Sequence, residues 1–479
     1  MRVKLYIRAD GTNQIGLGHL TRCLALAHML KEEYDIFFVC KEAPANIIMD
    51  IKNYGFSFLK ISEEEEFFDI LEGNEIVVID HYGADEKYEE KIKYKQNIVV
   101  CIDDIHNRIF KSDLIINHAP MVIPQDYKTR SLTQFALGLE YALLRPAFLG
   151  NPVKREPVQS ENVLICFGGA DFKNLTLDTL KVVLEFNAFK NIIVVTGGAY
   201  LYLEELTSLL NKDDRISHYH SVDEKKMAEL ISKADLTIVP SSGVLLEAIA
   251  VGNKIISGMY IENQKNIFTA YKSLSAFISA EDFSEDNLRL ALKMSLEGNF
   301  KPSKLIDRKS NLRLLKVFRQ LIIDKKLLIR KAEEADLEIT YKWATDKKVR
   351  AFSFNTSDIK FDEHSSWFLN KINSENCFYY IAELNNKLVG SIRFDIKDEV
   401  ASISYLVDPV FHHNGYGISL LKQGMLALCN ERQKNIKKVV GYVLPQNLPS
   451  LRTFDKLGFS SELENDNYKY TKLIDYANW

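Results

Sequence analysis

The sequence predicts two successive open α/β domains followed by a separate α+β domain. Three observations predict it. Strand-length apolar runs alternate with amphipathic helical stretches from residue 1 to about 302. A break rich in proline and charge, Gly150-Asn151-Pro152-Val153-Lys154-Arg155-Glu156-Pro157, cuts that alternation in two. From Lys326 onward helices come first and strands follow in hairpin order.

In the first segment, 1–150, Lys4–Ala9 reads as a strand. Leu20 to Glu32 reads as a helix, with Leu20, Leu24, Ala27 and Leu30 at helix-face spacing. Tyr34–Cys40, Ile76–Asp80 and Asn97–Ile102 read as further strands. Continuous apolar runs between helices indicate strands buried on both faces, hence a parallel sheet. The second segment, 158–302, repeats the rhythm. Asn162–Phe167 is a strand ended by Gly168-Gly169, Leu175–Phe186 is helical, and Asn191–Thr196 and Leu236–Pro240 are strands. Two such domains make a two-lobed architecture whose ligand site lies in the cleft outside the strand carboxyl ends. Residues 303–325 read as helix and linker. In the third segment, 326–479, helices over about 334–346 and 363–373 precede strands Cys377–Leu384, Leu388–Ile396 and Ala401–Val407, with Asn385-Asn386 as a hairpin turn signal.

Composition bounds the function. Of 479 residues, 46% are hydrophobic and 26% charged, which excludes global disorder and a membrane bundle. The longest apolar runs, such as Ile192–Val195, are far short of the ~18 residues of a membrane span. Met1-Arg2-Val3-Lys4-Leu5-Tyr6-Ile7-Arg8 carries charges where an export signal needs an apolar core, so a cytoplasmic location is expected. A net charge of −4, from 61 basic and 65 acidic residues, leaves no nucleic-acid footprint. The six cysteines show no metal or redox spacing and the ten histidines no HExxH-like pair. Free thiols in a reducing compartment and no metal or bound cofactor are therefore expected. The sequence sets no oligomeric state.

Candidate chemistry gathers where strands end. Asp10-Gly11-Thr12-Asn13-Gln14-Ile15-Gly16-Leu17-Gly18-His19 follows a strand and opens a helix. Gly16 and Gly18 let backbone approach a phosphate or sugar, and Asp10 stands at the strand end. At the positive end of a helix dipole His19 is disposed to stay uncharged and to act as a general base. Ile76–Asp80 runs into His81-Tyr82-Gly83, placing polar groups at the mouth of an α/β cleft. In the second segment Gly168-Gly169-Ala170-Asp171 and Pro240-Ser241-Ser242-Gly243 are candidate anion cradles. Glu247 lies one helical turn on, placed for ribose hydroxyls.

Together these residues resemble a known family. Residues 1 to about 290 are similar to the UDP-sugar hydrolases of pseudaminic acid biosynthesis. The resemblance rests on Gln14-Ile15-Gly16-Leu17-Gly18-His19, Asp80-His81-Tyr82-Gly83, Gly138-Leu139-Glu140-Tyr141-Ala142-Leu143-Leu144-Arg145, Gly168-Gly169-Ala170-Asp171, Lys173-Asn174-Leu175, the stretch from Ser241-Ser242 to Glu247, and Asn263-Gln264. It implies the two-lobed glycosyltransferase-B fold and removal of UDP from UDP-2,4-diacetamido-2,4,6-trideoxy-β-L-altropyranose. Water attacks the anomeric carbon with C–O cleavage. His19 would deprotonate or orient that water, Asp80 and Tyr82 would help hold sugar or water, and the second lobe would bind UDP without a metal ion. Arg145, Asp171, Asn174, Asn263 and Gln264 enter as substrate-binding candidates on this resemblance.

The third segment carries Val407-Asp408-Pro409-Val410-Phe411-His412-His413-Asn414-Gly415-Tyr416-Gly417 between a strand and the helix from Ile418. Gly-rich backbone at a helix start can wrap a pyrophosphate. With Asn447-Leu448-Pro449-Ser450 and Phe454-Asp455-Lys456-Leu457-Gly458-Phe459, this segment resembles the GNAT acetyltransferases. Their coenzyme A loop reads Arg/Gln-x-x-Gly-x-Gly/Ala. Here His412 stands at the first position and Gly415 and Gly417 match. The resemblance implies an acetyl-CoA site formed with Val407, Asn414, Asn447 and Ser450. Tyr341-Lys342-Trp343 to Arg350, with His364 and Trp367, is similar to the subgroup that acts on amino sugars and ribosomal protein N-termini. Many members have a tyrosine where this chain has Phe454, which cannot protonate a leaving thiolate. Glu383 and Tyr405 are strand candidates for the base on the amine.

The two resemblances imply consecutive reactions. The acetyltransferase would acetylate the 4-amino group of a UDP-linked amino sugar with acetyl-CoA, and the hydrolase would act on the product. The alternatives are a glycosyltransferase that uses an acceptor other than water, a hydrolase for a related nonulosonic acid precursor, and a non-catalytic acetyltransferase-like binding domain.

Overall fold

The computed structural model describes residues 2–11, 18–130, 132–150, 161–297, 304–431, 435–474 and 476, with the backbone alone at Asn263. Gly16 and the break from Asn151 to Pro157 lie outside the described residues. The first sheet contains β1 (Val3–Ala9), β2 (Tyr34–Cys40), β3 (Ser57–Lys60), β4 (Ile76–Asp80), β5 (Ile98–Ile102), β6 (Leu114–Asn117) and β7 (Gln134–Leu137). All pair in parallel, in the spatial order β3-β2-β1-β4-β5-β6-β7. Their β-branched runs explain the arrangement. β4, β5 and β6 are buried at every position, which suits strands covered by helices on both faces. The strand order reverses between β1 and β4, where a parallel sheet opens a crevice at its carboxyl edge. β3 escapes sequence analysis because three of its four residues are exposed, so it has no apolar run.

The second sheet repeats the design with β8 (Asn162–Ile165), β9 (Asn191–Thr196), β10 (Ile216–His220), β11 (Leu236–Pro240), β12 (Lys254–Gly258) and β13 (Ile278–Ser279). The order is β10-β9-β8-β11-β12-β13, all parallel, with the reversal between β8 and β11. Its core joins Val163, Ile165, Ile192, Val194, Ile238 and Ile256 from the strands to Leu180, Leu288 and Leu292 from the helices.

Both parallel sheets belong to one compact unit, residues 1–128 and 134–316; a second unit comprises 129–133 and 317–479. The boundary between Lys316 and Val317 falls inside the helix Ser310–Lys326. In the second unit the strands are β14 (Leu328–Lys331), β15 (Cys377–Leu384), β16 (Lys387–Lys397), β17 (Val400–Val407), β18 (Lys438–Val443), β19 (Ser460–Glu464) and β20 (Asn467–Leu473). They form one sheet in the order β14-β15-β16-β17-β18-β20-β19, antiparallel except for β17 and β18. Asn385 and Asn386 hold φ of 49° and 62°, the left-handed pair that a two-residue hairpin demands. The register of β17 with β18 ends at Ile403 opposite Gly441, so Ser404–Val407 run on with β16 as their partner.

A buried polar network ties Val317–Lys326 into this unit. Asp324 is 5% exposed; its Oδ2 accepts from Lys422 Nζ at 2.9 Å and its Oδ1 from Ser419 Oγ at 2.5 Å. Gln320 Nε2 donates to Ser419 Oγ at 2.7 Å and to the Gly415 carbonyl at 3.2 Å. Among the described residues all six cysteines are buried and none is in a disulfide, no helix is long and apolar enough to cross a membrane, and no group of three or more His, Cys, Asp or Glu could hold a metal ion.

Candidate functional site

At the first switch point the helix Gly18–Leu30, next in sequence after β1, brings His19 against the end of β4. His19 Nδ1 lies 2.6 Å from Asp80 Oδ1. Arg22, one turn along the same helix face, donates from Nε to Asp80 Oδ2 and from Nη2 to Asp80 Oδ1, each at 2.6 Å. Its Nη1 donates to Asp104 Oδ2 at 2.7 Å, and Tyr82 OH donates to Asp104 Oδ1 at 3.1 Å. The Tyr82 ring stands edge-on to the His19 ring with centroids 4.6 Å apart.

Asp80 is 1% exposed. Burial alone would push its carboxyl up, but the Arg22 guanidinium and the His19 hydrogen bond outweigh burial and hold it well below the usual carboxylate range. An ionised carboxylate only accepts, so the His19 ring meets Asp80 through its Nδ1–H. Burial and neighbouring Asp104 push the Tyr82 phenol up, so it stays a neutral hydroxyl. Beyond β6, burial lowers His118 to about 4. Asp10 is held by Arg8 Nη2 at 2.7 Å and by the amides of Lys41 and Glu42 at 2.7 and 3.1 Å. Beside it a cavity of about 360 Å³ opens between Gly11, Lys41, Pro44, Phe58 and Lys60.

Arg22 and Asp104 did not emerge from the sequence. The available signal was Arg22 three residues beyond His19 on a helix, and an acidic pair, Asp103-Asp104, at the end of an apolar strand.

In the second lobe the predicted residues fall into two groups. Gly168 (φ 86°) and Gly169 end β8, and a Cβ on Gly197 would meet the Gly169 Cα at 2.4 Å. Two Gly-Gly turns thus pack backbone on backbone, and Ser242, just beyond the end of β11, precedes the helix Gly243–Val251. The first amides of that helix have no side-chain cap from Ser242. Glu247 and Arg145 face each other in a bidentate ion pair, Nε to Oε1 at 2.5 Å and Nη2 to Oε2 at 2.8 Å.

The other group is occupied inside the fold. Asp171 accepts from the amides of Leu175 and Thr176 at 2.9 and 2.8 Å, starting the helix Leu175–Leu184. Asn174 takes the Tyr200 hydroxyl at 2.5 Å. Ser241 is fully buried, its Oγ 3.2 Å from that of Ser257. Gln264 Oε1 accepts from the Tyr260 amide at 3.0 Å.

In the second unit the loop after β17 is heavily braced. Asp408 Oδ1 accepts from the Val410 amide at 2.9 Å and its Oδ2 from Trp343 Nε1 at 2.8 Å. His412 Nε2 lies 2.9 Å from the Val407 carbonyl, so this ring is turned back onto the strand end. Asn414 Nδ2 donates to the His412 carbonyl at 3.1 Å. Gly415 has φ 84°, and a Cβ there would come within 2.2 Å of Gln320 Oε1. The helix Tyr416–Asn430 starts at once, with Gly417 in its first turn. Asn447 caps the helix Leu448–Lys456 by accepting from the Ser450 amide at 3.2 Å. Phe454, 2% exposed, stacks on Tyr470 with centroids 4.9 Å apart.

A cavity of about 360 Å³ lies on the sheet face between Thr340, Glu363, His364, Trp367, Arg393 and Tyr405. Arg393 packs over the Trp367 ring at 4.8 Å and donates to Ser404 Oγ at 3.3 Å. Burial pulls His364 down, so its ring is neutral. Of the two strand candidates Tyr405 lines this cavity, while Glu383 accepts from Arg330 Nε at 2.6 Å.

Residues 326–460 match the family model described as Acetyltransferase (GNAT) domain. The chain is 26% identical to an uncharacterised protein of Methanocaldococcus jannaschii, over 95% of this chain and 96% of that one. It is 26% identical to the UDP-2,4-diacetamido-2,4,6-trideoxy-beta-L-altropyranose hydrolase of Campylobacter jejuni, over 56% of this chain and 95% of the hydrolase. The crystal structure of a spermidine N-acetyltransferase from Vibrio cholerae aligns with 31% of this chain and 95% of its own, at 16% identity and a TM-score of 0.29. The chain thus joins an α/β region that matches the diacetamido-altropyranose hydrolase of the pseudaminic pathway to a C-terminal GNAT acetyltransferase domain.

Proposed function

We propose that the chain is a bifunctional enzyme of pseudaminic acid biosynthesis that runs two consecutive steps on one UDP-sugar. The GNAT domain transfers acetyl from acetyl-CoA to the 4-amino group of UDP-4-amino-4,6-dideoxy-N-acetyl-altrosamine. The α/β region then hydrolyses the UDP-2,4-diacetamido-2,4,6-trideoxy-β-L-altropyranose so formed. The observation that carries the reading is the His19–Asp80 pair at the carboxyl edge of the first sheet, inside the region that matches the named hydrolase.

In this reading His19 Nε2 takes a proton from water as the oxygen bonds to the anomeric carbon. The C–O bond to phosphate breaks and its electron pair leaves on UDP. Asp80 acts through His19 as a positioning residue, since both its oxygens are engaged within the protein. Tyr82, 54% exposed beside the His19 ring, faces the sugar. The Gly168-Gly169 turn, Ser242 and the start of the Gly243–Val251 helix hold the pyrophosphate through backbone amides, and Glu247 meets the ribose. In the GNAT domain Gly415, Gly417 and the Tyr416–Asn430 helix start hold the pyrophosphate of acetyl-CoA, with Val407, His412, Asn414, Asn447 and Ser450 around it. The amino sugar enters the Trp367–Arg393–Tyr405 cavity, where Glu363 offers a carboxylate to its ammonium form. Both substrates, a nucleotide sugar and acetyl-CoA, place the reactions in the cytoplasm.

Incubation with the UDP-4-amino sugar, with and without acetyl-CoA, tests both steps, with products identified by mass and NMR. Acetyl-CoA-dependent release of UDP and a free reducing diacetamido sugar is expected. A glycoside as product would assign the first region to sugar transfer, and no acetylation would reduce the GNAT domain to a binding module.

A further inference from the structure

The Arg22 guanidinium is shared by two carboxylates, and each carboxylate takes the proton of one ring at the carboxyl edge of the first sheet. Asp80 Oδ1 faces His19 Nδ1 at 2.6 Å. Asp104 accepts from Tyr82 OH, at 3.1 Å to Oδ1 and 3.2 Å to Oδ2, and Arg22 Nη1 fixes that carboxylate through Oδ2 at 2.7 Å. The neighbouring acid is spent elsewhere: Asp103 Oδ2 accepts from the amides of Ile105 and His106 at 3.2 and 2.8 Å. A phenol has one proton, so with that proton committed to Asp104 the Tyr82 oxygen has only lone-pair density left to offer. In the hydrolytic reading above, His19 Nε2 also receives a proton. The two rings touch edge-on, 4.6 Å between centroids, and Tyr82 is more than half exposed. Two neighbouring rings thus turn acceptors outward, each backed by a carboxylate on the same guanidinium.

From this arrangement we propose, resting on the hydrolase reading above, that Asp104 is a positioning residue that selects water over an alcohol as the nucleophile. A water has two protons for the two acceptors, one toward His19 Nε2 and the other toward Tyr82 Oη. Held in that way, it keeps a lone pair for the anomeric carbon. An alcohol has one proton, and its carbon stands where the second acceptor needs a donor, which leaves the Tyr82 oxygen unsatisfied. As the water oxygen bonds to the anomeric carbon, the proton toward His19 passes to Nε2 and the other stays on the new sugar hydroxyl. The C–O bond to phosphate breaks and its electron pair leaves on UDP. Tyr82 and Asp104 exchange no proton in the step. Asp104 touches neither water nor sugar; it fixes the direction in which the Tyr82 proton points.

The test supplies the UDP-diacetamido sugar in water containing methanol. It measures UDP release and the ratio of methyl glycoside to free reducing sugar, by mass and NMR, for wild type, Asp104→Asn, Tyr82→Phe and the double variant. Wild type should give the free sugar as its main product. In Asp104→Asn, Arg22 holds the amide oxygen, so the amide N–H turns to Tyr82 and the phenol proton turns outward. This variant should lower kcat for hydrolysis at least about tenfold and raise the glycoside ratio at least about fivefold, with UDP affinity unchanged. Tyr82→Phe removes one exposed hydroxyl and should raise the ratio likewise, so the outcome does not hang on the folding of the Asp104 variant. Adding Asp104→Asn to Tyr82→Phe should move the ratio less than about twofold, because the two residues act as one. A ratio within about twofold of wild type in either single variant overturns the proposal, as does an equal effect of Asp104→Asn in both backgrounds. A merely structural Asp104 would lower the thermal midpoint and leave the ratio unmoved, which also overturns it. Wild type that makes mainly the glycoside overturns it too. No UDP release from wild type would instead defeat the hydrolase reading, and this proposal with it.

Discussion

His19 is read by three side chains at once: Asp80 fixes its tautomer, Arg22 neutralises that carboxylate, and Tyr82 covers its edge. His19→Asn should leave UDP binding nearly intact and lower hydrolysis by at least about 10²-fold, the scale of a lost general base; single-turnover UDP release checks it. Asp80→Asn should lower turnover while sparing UDP affinity, and it also removes a buried counter-charge from Arg22. Because the folded Asp80 carboxyl lies below its unfolded value of ~3.9, its contribution to stability is present above that pH and lost as pH falls below it. The gap between wild-type and Asp80→Asn thermal midpoints should therefore persist from neutral pH down to about 4 and close only in stronger acid. That His19, Asp80 and Tyr82 lie together was legible because strand ends and helix starts mark the carboxyl edge of a parallel sheet. Arg22 was not, since an arginine on a helix looks the same in sequence whether it meets solvent or two carboxylates.

At the scale of elements, the helix Gly18–Leu30 carries a second histidine with the opposite character. His28 is half-buried against Tyr54 and Phe56, and the desolvation lowers it to about 4. The unfolded chain binds a proton near 6.5, so between about 6.5 and 4 the unfolded state holds more protons and stability falls as pH drops. Urea midpoints across that window should show the fall, with a shallower slope in His28→Leu. In the GNAT domain a Cβ on Gly441 would lie 2.5 Å from Phe454 Cζ, in a ring stack that cannot retreat. Gly441→Ala should destabilise the domain by roughly 1–3 kcal/mol through overpacking, measured by denaturant titration. Phe454→Tyr should change acetyl-transfer kcat less than about tenfold. A thiol ionises near 8.5, so its anion leaves tolerably near neutral pH without a donor at that position.

At the scale of the whole molecule, the helix Ser310–Lys326 begins in the first compact unit and ends in the second. A cut at 326 would strip Gln320 and Asp324 from the GNAT domain and leave Lys422 buried without that ion pair, a loss of about 3–5 kcal/mol. Overlapping fragments 1–326 and 310–479 should each fold and keep one reaction, while 327–479 should be unstable or insoluble; circular dichroism and the two assays decide it. What the sequence determined by itself was what is local: the strands Tyr34–Cys40, Ile76–Asp80, Asn191–Thr196, Leu236–Pro240 and Cys377–Leu384, the Asn385-Asn386 turn, and the glycines at strand ends. These follow from period, β-branching and backbone freedom, which neighbouring residues set. Only tertiary structure decided which polar groups pair with one another inside the fold. Asp171, Asn174 and Ser241 lie in motifs that resemble a ligand cradle, and their side chains meet the Leu175 amide, the Tyr200 hydroxyl and the Ser257 hydroxyl. Arg22 with Asp104, Arg145 with Glu247, and Tyr405 with Ser450 meet across 45 to 102 residues of chain. Such pairings depend on how sheets and helices pack, and the spacing of residues along one chain carries no record of them.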